Sequence, residues 1–308
     1  MNFVESYSIA PFARDLDLRG LAKTSKDTII GSVRRYATWA EANGKDPLQG
    51  NYVDLVAYLG ELRSRKLRKR SLDRTFSCLA VWYDYLEEQG TVQKNPIKAI
   101  QKKYLRQCKP DCQTRKIISI EQAANMVQAT IDSRDRAILL LLLKTGIRRN
   151  ELITLDLDDI DLDNLAFTLK RTAKRTNREL YFDQETAVAL DRWMKSREKR
   201  RIKKDDQEAL FISSEGMRLA RQGVVNVVTK AAERVALHDP NSSRLEDHFT
   251  PHCCRHWFTT YLIRSGMPRD FVKELRGDAR REAIDIYNHI DKKELKESYL
   301  AHIPQLGI

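Results

Sequence analysis

The 308-residue chain has no apolar run long enough to cross a bilayer. Its longest, Ala137 to Leu143, is seven residues, whereas a span needs about 20. The N-terminus (Met1-Asn2-Phe3-Val4-Glu5) lacks the basic stretch and apolar segment of a secretory signal. Cysteines are few and odd in number, five in all, which excludes a disulfide framework and fits a reducing compartment. No internal repeat or low-complexity tract is visible. These absences predict a soluble protein of the cytoplasm, associated with the nucleoid if it binds DNA, with no membrane partner. A hydrophobic content of 42% with 32% charged residues allows real cores, so the chain is neither disordered nor collagen-like. The length suggests two domains of about 150 residues each.

Acidic residues are outnumbered. Fifty-five Lys and Arg against 43 Asp and Glu give a net charge of +12 and a pI near 9.4. The excess is uneven: residues 1–110 hold 20 basic and 12 acidic residues, so one third of the chain carries two thirds of it. That asymmetry suits a basic module gripping a polyanion, because each neutralised phosphate releases counterions. A solvated surface of high pI is the bland alternative, and charge says nothing of specificity.

The first hundred residues read as helices. Apolar residues recur at helical spacing over Thr24 to Gly44, Asn51 to Lys66 and Ser71 to Gln89, and a short helix is expected after Asn95-Pro96. Between the second and third lie six cations in eight residues, Arg63 to Arg70, either an exposed loop or a clamp for a phosphate backbone. Arg68, Lys69, Arg70 and Arg74, with Arg221 further on, are the candidate DNA contacts. Residues 104–117 read as a linker between a domain at 1–103 and another at 118–308. Cys108 and Cys112 lie there in a C-x3-C spacing. A zinc site would also need Cys253 and Cys254, which are adjacent rather than spaced as ligands; a linker with two reduced thiols, and no metal, is the reading adopted.

Beyond the linker, Ser119 and Gln122 form a capping box, and residues 134–144 predict a helix apolar on almost every side, hence central. Alternation in Leu165–Leu169 and Leu180–Phe182 predicts a β-hairpin around a basic bend at 173–178. Helical patterns follow at 184–203, 221–236, 252–265, 268–276 and 278–288. Residues 192–204, with eight cations and one acid, read most simply as a solvated helix end.

Thr145-Gly146-Ile147-Arg148-x-x-Glu151 follows the central helix, Lys174 lies in the hairpin bend, and His252-Cys253-Cys254-Arg255 follows Thr250-Pro251. Tyr287 comes nine residues after Gly277-Asp278. Each element alone is weak. The order Arg, Lys, His-x-x-Arg, Tyr resembles the tyrosine recombinase (phage integrase) family, most closely its two-domain, Xer-like members. The resemblance implies a mainly α fold: an N-terminal helical core-binding domain, SAM-like, and a mostly α catalytic domain with a small antiparallel β-sheet, together gripping duplex DNA in a C shape. It implies a site-specific recombinase or integrase that cleaves and rejoins DNA through a 3′-phosphotyrosine, without cofactor. Its partners would be a double-stranded recombination site and further copies of itself, two per site and four in the synapse. The C-terminal segment, with Leu295, Tyr299, Leu300 and Ile303 in a helical stripe, would dock on a neighbouring protomer or else pack on its own domain.

The chemistry agrees with that implication. Attack on a phosphodiester gathers negative charge on the non-bridging oxygens, which fixed cations stabilise. Arg148 and Arg255 offer planar forks for them, with Glu151 expected to orient Arg148. By resemblance Tyr287 is the nucleophile and Lys174 the general acid. A phenol of pKa about 10 needs positive charge or a base nearby, and His252 supplies either. The departure is Asp278, where the family usually has histidine or tryptophan; an ionised carboxylate cannot donate to the phosphate, so Asp278 either caps the following helix or acts near the phosphate beside Arg276. Two readings compete with recombination. A type IB topoisomerase shares the chemistry, and a recombinase-derived DNA-binding protein would have lost cleavage through Asp278.

Overall fold

Apolar residues at three- and four-residue spacing give each helix of the first unit one face to bury, and the chain divides into two such units, Met1–Cys112 and Gln113–Ile308. The computed structural model describes residues 9–105, 117–170, 178–277 and 290–308. Among these no helix is long and apolar enough to cross a membrane.

In the first unit the helices are α1 (Ile9–Leu18), α2 (Lys23–Ala42), α3 (Tyr52–Ser64), α4 (Lys69–Glu88) and the short α5 (Ile97–Ile100). α1 is additional to the helices expected from sequence; it buries Ile9, Phe12 and Leu16. At the centre Tyr36, Tyr58, Trp82 and Tyr83 pack edge to face, with neighbouring ring centroids 5.1 to 6.3 Å apart. The Tyr83 hydroxyl donates to the Pro47 carbonyl at 3.0 Å and lies 3.1 Å from that of Tyr36. Burial pushes the Tyr36 phenol up to about 12 and that of Tyr83 further still, so both remain protonated hydrogen-bonding groups. Gly50 passes so close to the two hydroxyls that any Cβ there would collide with them.

The second unit is built around α7 (Ser133–Thr145), whose residues Ala137 to Leu143 are all buried. Around it lie α6 (Ile120–Gln128), α8 (Arg149–Ile153), α9 (Gln184–Glu198), α10 (Arg221–Arg234), α11 (Pro251–Arg264), α12 (Arg269–Arg276) and α13 (Lys292–His302). α7 packs chiefly against α9 and α11. The capping box that opens α6 has the expected form: the Gln122 amide donates to Ser119 Oγ at 3.0 Å and the Ser119 amide to Gln122 Oε1 at 2.9 Å. A three-stranded antiparallel sheet runs β1 (Ile160–Asp161), β2 (Ala166–Thr168), β3 (Glu179–Tyr181), with Phe167 opposite both Ile160 and Leu180. β2 and β3 form the expected hairpin, and β1 is an addition at its edge. The bend between them at 171–177 lies outside the described residues, as do 278–289.

One cation departs clearly from its expected setting. Arg197 was expected on a solvated helix end. Instead it is buried, its Nε donating to the Ala209 carbonyl at 2.9 Å and its Nη2 to that of Gln207, because the chain after α9 folds back over it. Arg200 covers the Trp193 ring, 5.0 Å from its centroid. Lys144, at the end of the apolar run, is wholly buried, and its Nζ donates to Asp183, Glu185 and the Pro304 carbonyl. α13 lies on its own unit, with Leu295, Tyr299 and Ile303 buried there. The Tyr299 hydroxyl donates to the Lys144 carbonyl at 2.9 Å.

α7 ends at Gly146, whose φ of +60° is left-handed. Here glycine is required twice over: an L side chain is strained at that φ, and a Cβ would press into the Phe258 ring. Gly146→Ala is expected to lower the second unit's stability by about 2–4 kcal/mol, combining left-handed strain and overpacking. A urea titration followed by circular dichroism reads this; a loss below about 0.5 kcal/mol would show that the turn relaxes freely.

Candidate active site

The end of α7 fixes the place of the first arginine. After the Gly146 turn, Arg148 stands in extended conformation as the N-cap of α8, where its side chain leaves the core and is 38% exposed. Glu151, one turn on, is 6% exposed and accepts twice from Arg148, from the backbone amide at 2.7 Å and from Nη1 at 3.0 Å. One carboxylate therefore caps the helix and restrains the guanidinium. The pairing has the i,i+3 spacing read from the sequence.

α11 supplies the other two described candidates. Thr250 caps it and Pro251 occupies the first turn, where its missing N–H is harmless. Cys253 takes the place usually held by Glu or Gln in a capping box: the Cys253 amide donates to the Thr250 carbonyl at 2.8 Å, and the Thr250 amide to Cys253 Sγ at 3.3 Å. Cys254 points into the core, where burial pushes its thiol well above the ordinary value, so it stays a neutral packing group. His252 is exposed at this helix start. One turn later His256 sets its ring against it, with centroids 4.6 Å apart and planes at 84°; the sequence reading did not single out His256.

Arg255, three residues after His252, is only 5% exposed. Its Nη1 donates to the Gly146 carbonyl at 2.7 Å and its Nη2 to the Arg276 carbonyl at 2.8 Å. The two carbonyls end α7 and α12, and both helices close on a left-handed glycine, Gly146 and Gly277. Helix C-termini carry partial negative charge, so the buried cation sits where the backbone dipoles favour it.

Arg148, His252 and Arg255 converge on one cleft of about 510 Å³, which Ile147, Val225 and Thr250 also line. Such a cleft can receive a tetrahedral phosphate, with two planar donors held by fixed partners and an imidazole at a helix N-terminus. Lys174, Asp278 and Tyr287 lie outside the described residues. The candidate DNA contacts are distributed over both units. Arg68, Arg70 and Arg74 are exposed in the first and Lys69 is half-buried there, while Arg221 is exposed at the start of α10 in the second. Arg74 also donates to Thr28 Oγ1 at 3.2 Å, tying α4 to α2.

Comparisons with known proteins are consistent along most of the chain. The model of the phage integrase family matches residues 113–294. The tyrosine recombinase XerC of Alcanivorax borkumensis is 30% identical over 252 residues, covering 80% of this chain and 77% of its own. XerC of Oceanobacillus iheyensis is 28% identical over 256 residues, covering 82% and 81%. Among solved structures, the Tn1549 transposon integrase in complex with a circular intermediate DNA gives a TM-score of 0.68 at 16% identity, covering 95% of this chain and 98% of that one. XerH bound to its difH substrate gives 0.64 at 17%, covering 94% and 82%. At these identities the solved structures establish the fold, and the matched family model establishes the lineage. The chain belongs to the phage integrase family, the tyrosine recombinases.

Proposed function

We propose that this chain, a site-specific DNA recombinase by its family, cleaves and rejoins duplex DNA with Arg148, His252 and Arg255 around the scissile phosphate and Tyr287 as nucleophile. The observation that carries the reading is the convergence of two arginines, 107 positions apart in sequence, on one cleft beside a histidine. Each arginine is restrained by its own partners. Donors fixed before the reaction need no reorganisation as charge develops, which is the main source of rate for such chemistry.

In the first step the Tyr287 oxygen attacks phosphorus, the bond to the 5′ oxygen breaks, and a 3′-phosphotyrosine forms. The 5′ oxygen takes a proton from Lys174 and leaves as a hydroxyl. His252 takes the phenol proton as the oxygen attacks and returns it when Tyr287 leaves in the second step, in which Lys174 regains a proton from the attacking 5′-hydroxyl. In the second step the 5′-hydroxyl of the other strand attacks the phosphotyrosine, a new phosphodiester forms and Tyr287 is released. One ester replaces another throughout, so the cycle is close to isoenergetic without a nucleotide cofactor. Asp278 is assigned to the neighbourhood of the phosphate, its charge balanced by Arg276 and Arg280. Arg68, Lys69, Arg70, Arg74 and Arg221 contact backbone phosphates, two protomers occupy each site, and four form the synapse. Topoisomerase activity is the less favoured reading, since the named relatives matched over about four fifths of the chain are recombinases.

With a nicked suicide duplex carrying the cognate site, the protein is expected to form an adduct that survives SDS, mapped to Tyr287 by peptide mass. Tyr287→Phe should bind DNA equally and form none; an adduct in that variant would place the nucleophile elsewhere. Arg148→Ala and Arg255→Ala should each slow cleavage by about 10²–10³-fold, the scale for losing one oxyanion donor. Only Arg255→Ala should also lower the melting temperature substantially, because it removes the donor from the buried Gly146 carbonyl and the half-buried Arg276 carbonyl. Asp278→Asn should change both the rate and its pH profile between about pH 5 and 9, since a titrating carboxylate is removed; superimposable profiles would leave Asp278 a cap.

A further inference from the structure

Lys144 belongs to none of the groups assigned to the reaction, yet among the described residues it is the most completely internal charge in the second unit, with no exposed side-chain surface. A lone ammonium in that setting would be expelled or neutralised. It is retained because three acceptors surround it: Asp183 Oδ2 at 2.5 Å, Glu185 Oε2 at 2.6 Å and the Pro304 carbonyl at 2.6 Å. Asp183 is itself fixed as the N-cap of α9, accepting from the Thr186 amide at 3.0 Å and its hydroxyl at 2.7 Å.

One ammonium against two carboxylates leaves an excess negative charge, and the C-terminal tail answers it. The backbone amides of Leu306, Gly307 and Ile308 all donate to the Glu185 carboxylate, at 3.0, 2.6 and 3.3 Å. Burial alone would raise the pKa of Glu185; Lys144 and the tail amides overcome it and hold the group below its ordinary value. The last five residues thus complete the polar shell of a cation in the last turn of α7. Tyr299 binds that turn from the same side through the Lys144 carbonyl.

Two residues beyond Lys144, the Gly146 carbonyl receives Arg255; two further on stands Arg148. Between Lys144 and Gly146, Thr145 is buried and its hydroxyl donates to the Leu141 carbonyl at 2.5 Å, so the turn has little slack through which a displacement could dissipate. We infer that Lys144, Asp183 and Glu185 are positioning residues for the catalytic arginines, and that the tail Pro304–Ile308 sets the geometry of Arg148 and Arg255 through them. The inference rests on the proposed roles of those two arginines. It makes the C-terminal residues part of the cleavage apparatus although none of them lines the cleft.

The test uses the full-length protein, Glu185→Gln, a truncation after Ile303, and the two combined, on the suicide duplex. Single-turnover cleavage at saturating DNA is read alongside DNA affinity, at a temperature where near-ultraviolet circular dichroism shows every variant folded. Glu185→Gln changes almost no volume, which keeps the test available where truncation loosens the fold. Each single variant is expected to slow cleavage by about tenfold to a hundredfold, the scale for misplacing a catalytic group by a fraction of an ångström to one ångström. DNA affinity should stay within twofold. The combined variant should be no slower than the worse single one, because both act on the same hub. Unchanged cleavage with a lowered melting temperature would make the hub purely structural and overturn the inference, as would multiplicative losses. Absence of any adduct in the unmodified protein would instead overturn the reading of the site itself.

Discussion

A guanidinium cannot be buried without acceptors for its N–H groups, and the way Arg255 meets that requirement organises the catalytic unit. Its Nη1 and Nη2 donate to carbonyls at the ends of two different helices. Each is presented by a helix that stops on a left-handed glycine. The residue proposed to face a phosphate is therefore also the pin between α7 and α12, and its plane is set by the protein alone. α7 in turn cannot shift, because Ala137 to Leu143 are enclosed on every side and a close-packed core leaves no room for a sliding helix.

Arg148 is held by a different device, which suits its exposure. A half-exposed guanidinium keeps most of its hydration and needs only restraint, which the buried Glu151 carboxylate provides while also capping α8. A buried arginine defined by backbone and a more open one defined by a carboxylate divide the work. The first keeps its geometry whatever the ionic strength. The second is more open to solvent, and its ion pair with Glu151 limits how far it can move.

Much of this was legible from sequence. Helical periodicity located the amphipathic helices of both units, because a face that must be buried leaves its spacing in the sequence. The all-apolar run announced the central helix, and alternation announced the hairpin. Thr145-Gly146, Glu151 and the His-x-x-Arg spacing led to the cleft because they are local: turn chemistry and i,i+3 geometry depend on neighbours in the chain. What escaped notice depends on distant partners. Lys144 was not singled out, since its acceptors come 39, 41 and 160 positions later. Arg197 read as solvated because the carbonyls that receive it belong to a segment that folds back. A helix apolar on all faces with a lysine in its last turn must bury that lysine, and this was the available signal. The two carbonyl acceptors of Arg255 have no sequence signature, because every residue has a carbonyl.

The cations of the two units stand in different settings. In the first unit Arg68, Arg70 and Arg74 are exposed at or near the start of α4, where long side chains can follow a phosphate backbone and where affinity depends on salt. In the second, Lys144, Arg197 and Arg255 are internal, each donating to acceptors of the protein itself. Mobile charge is suited to finding and holding a polyanion. Immobile charge is suited to one phosphate in one geometry, because only a cation that cannot relax toward the ground state retains its advantage for the transition state.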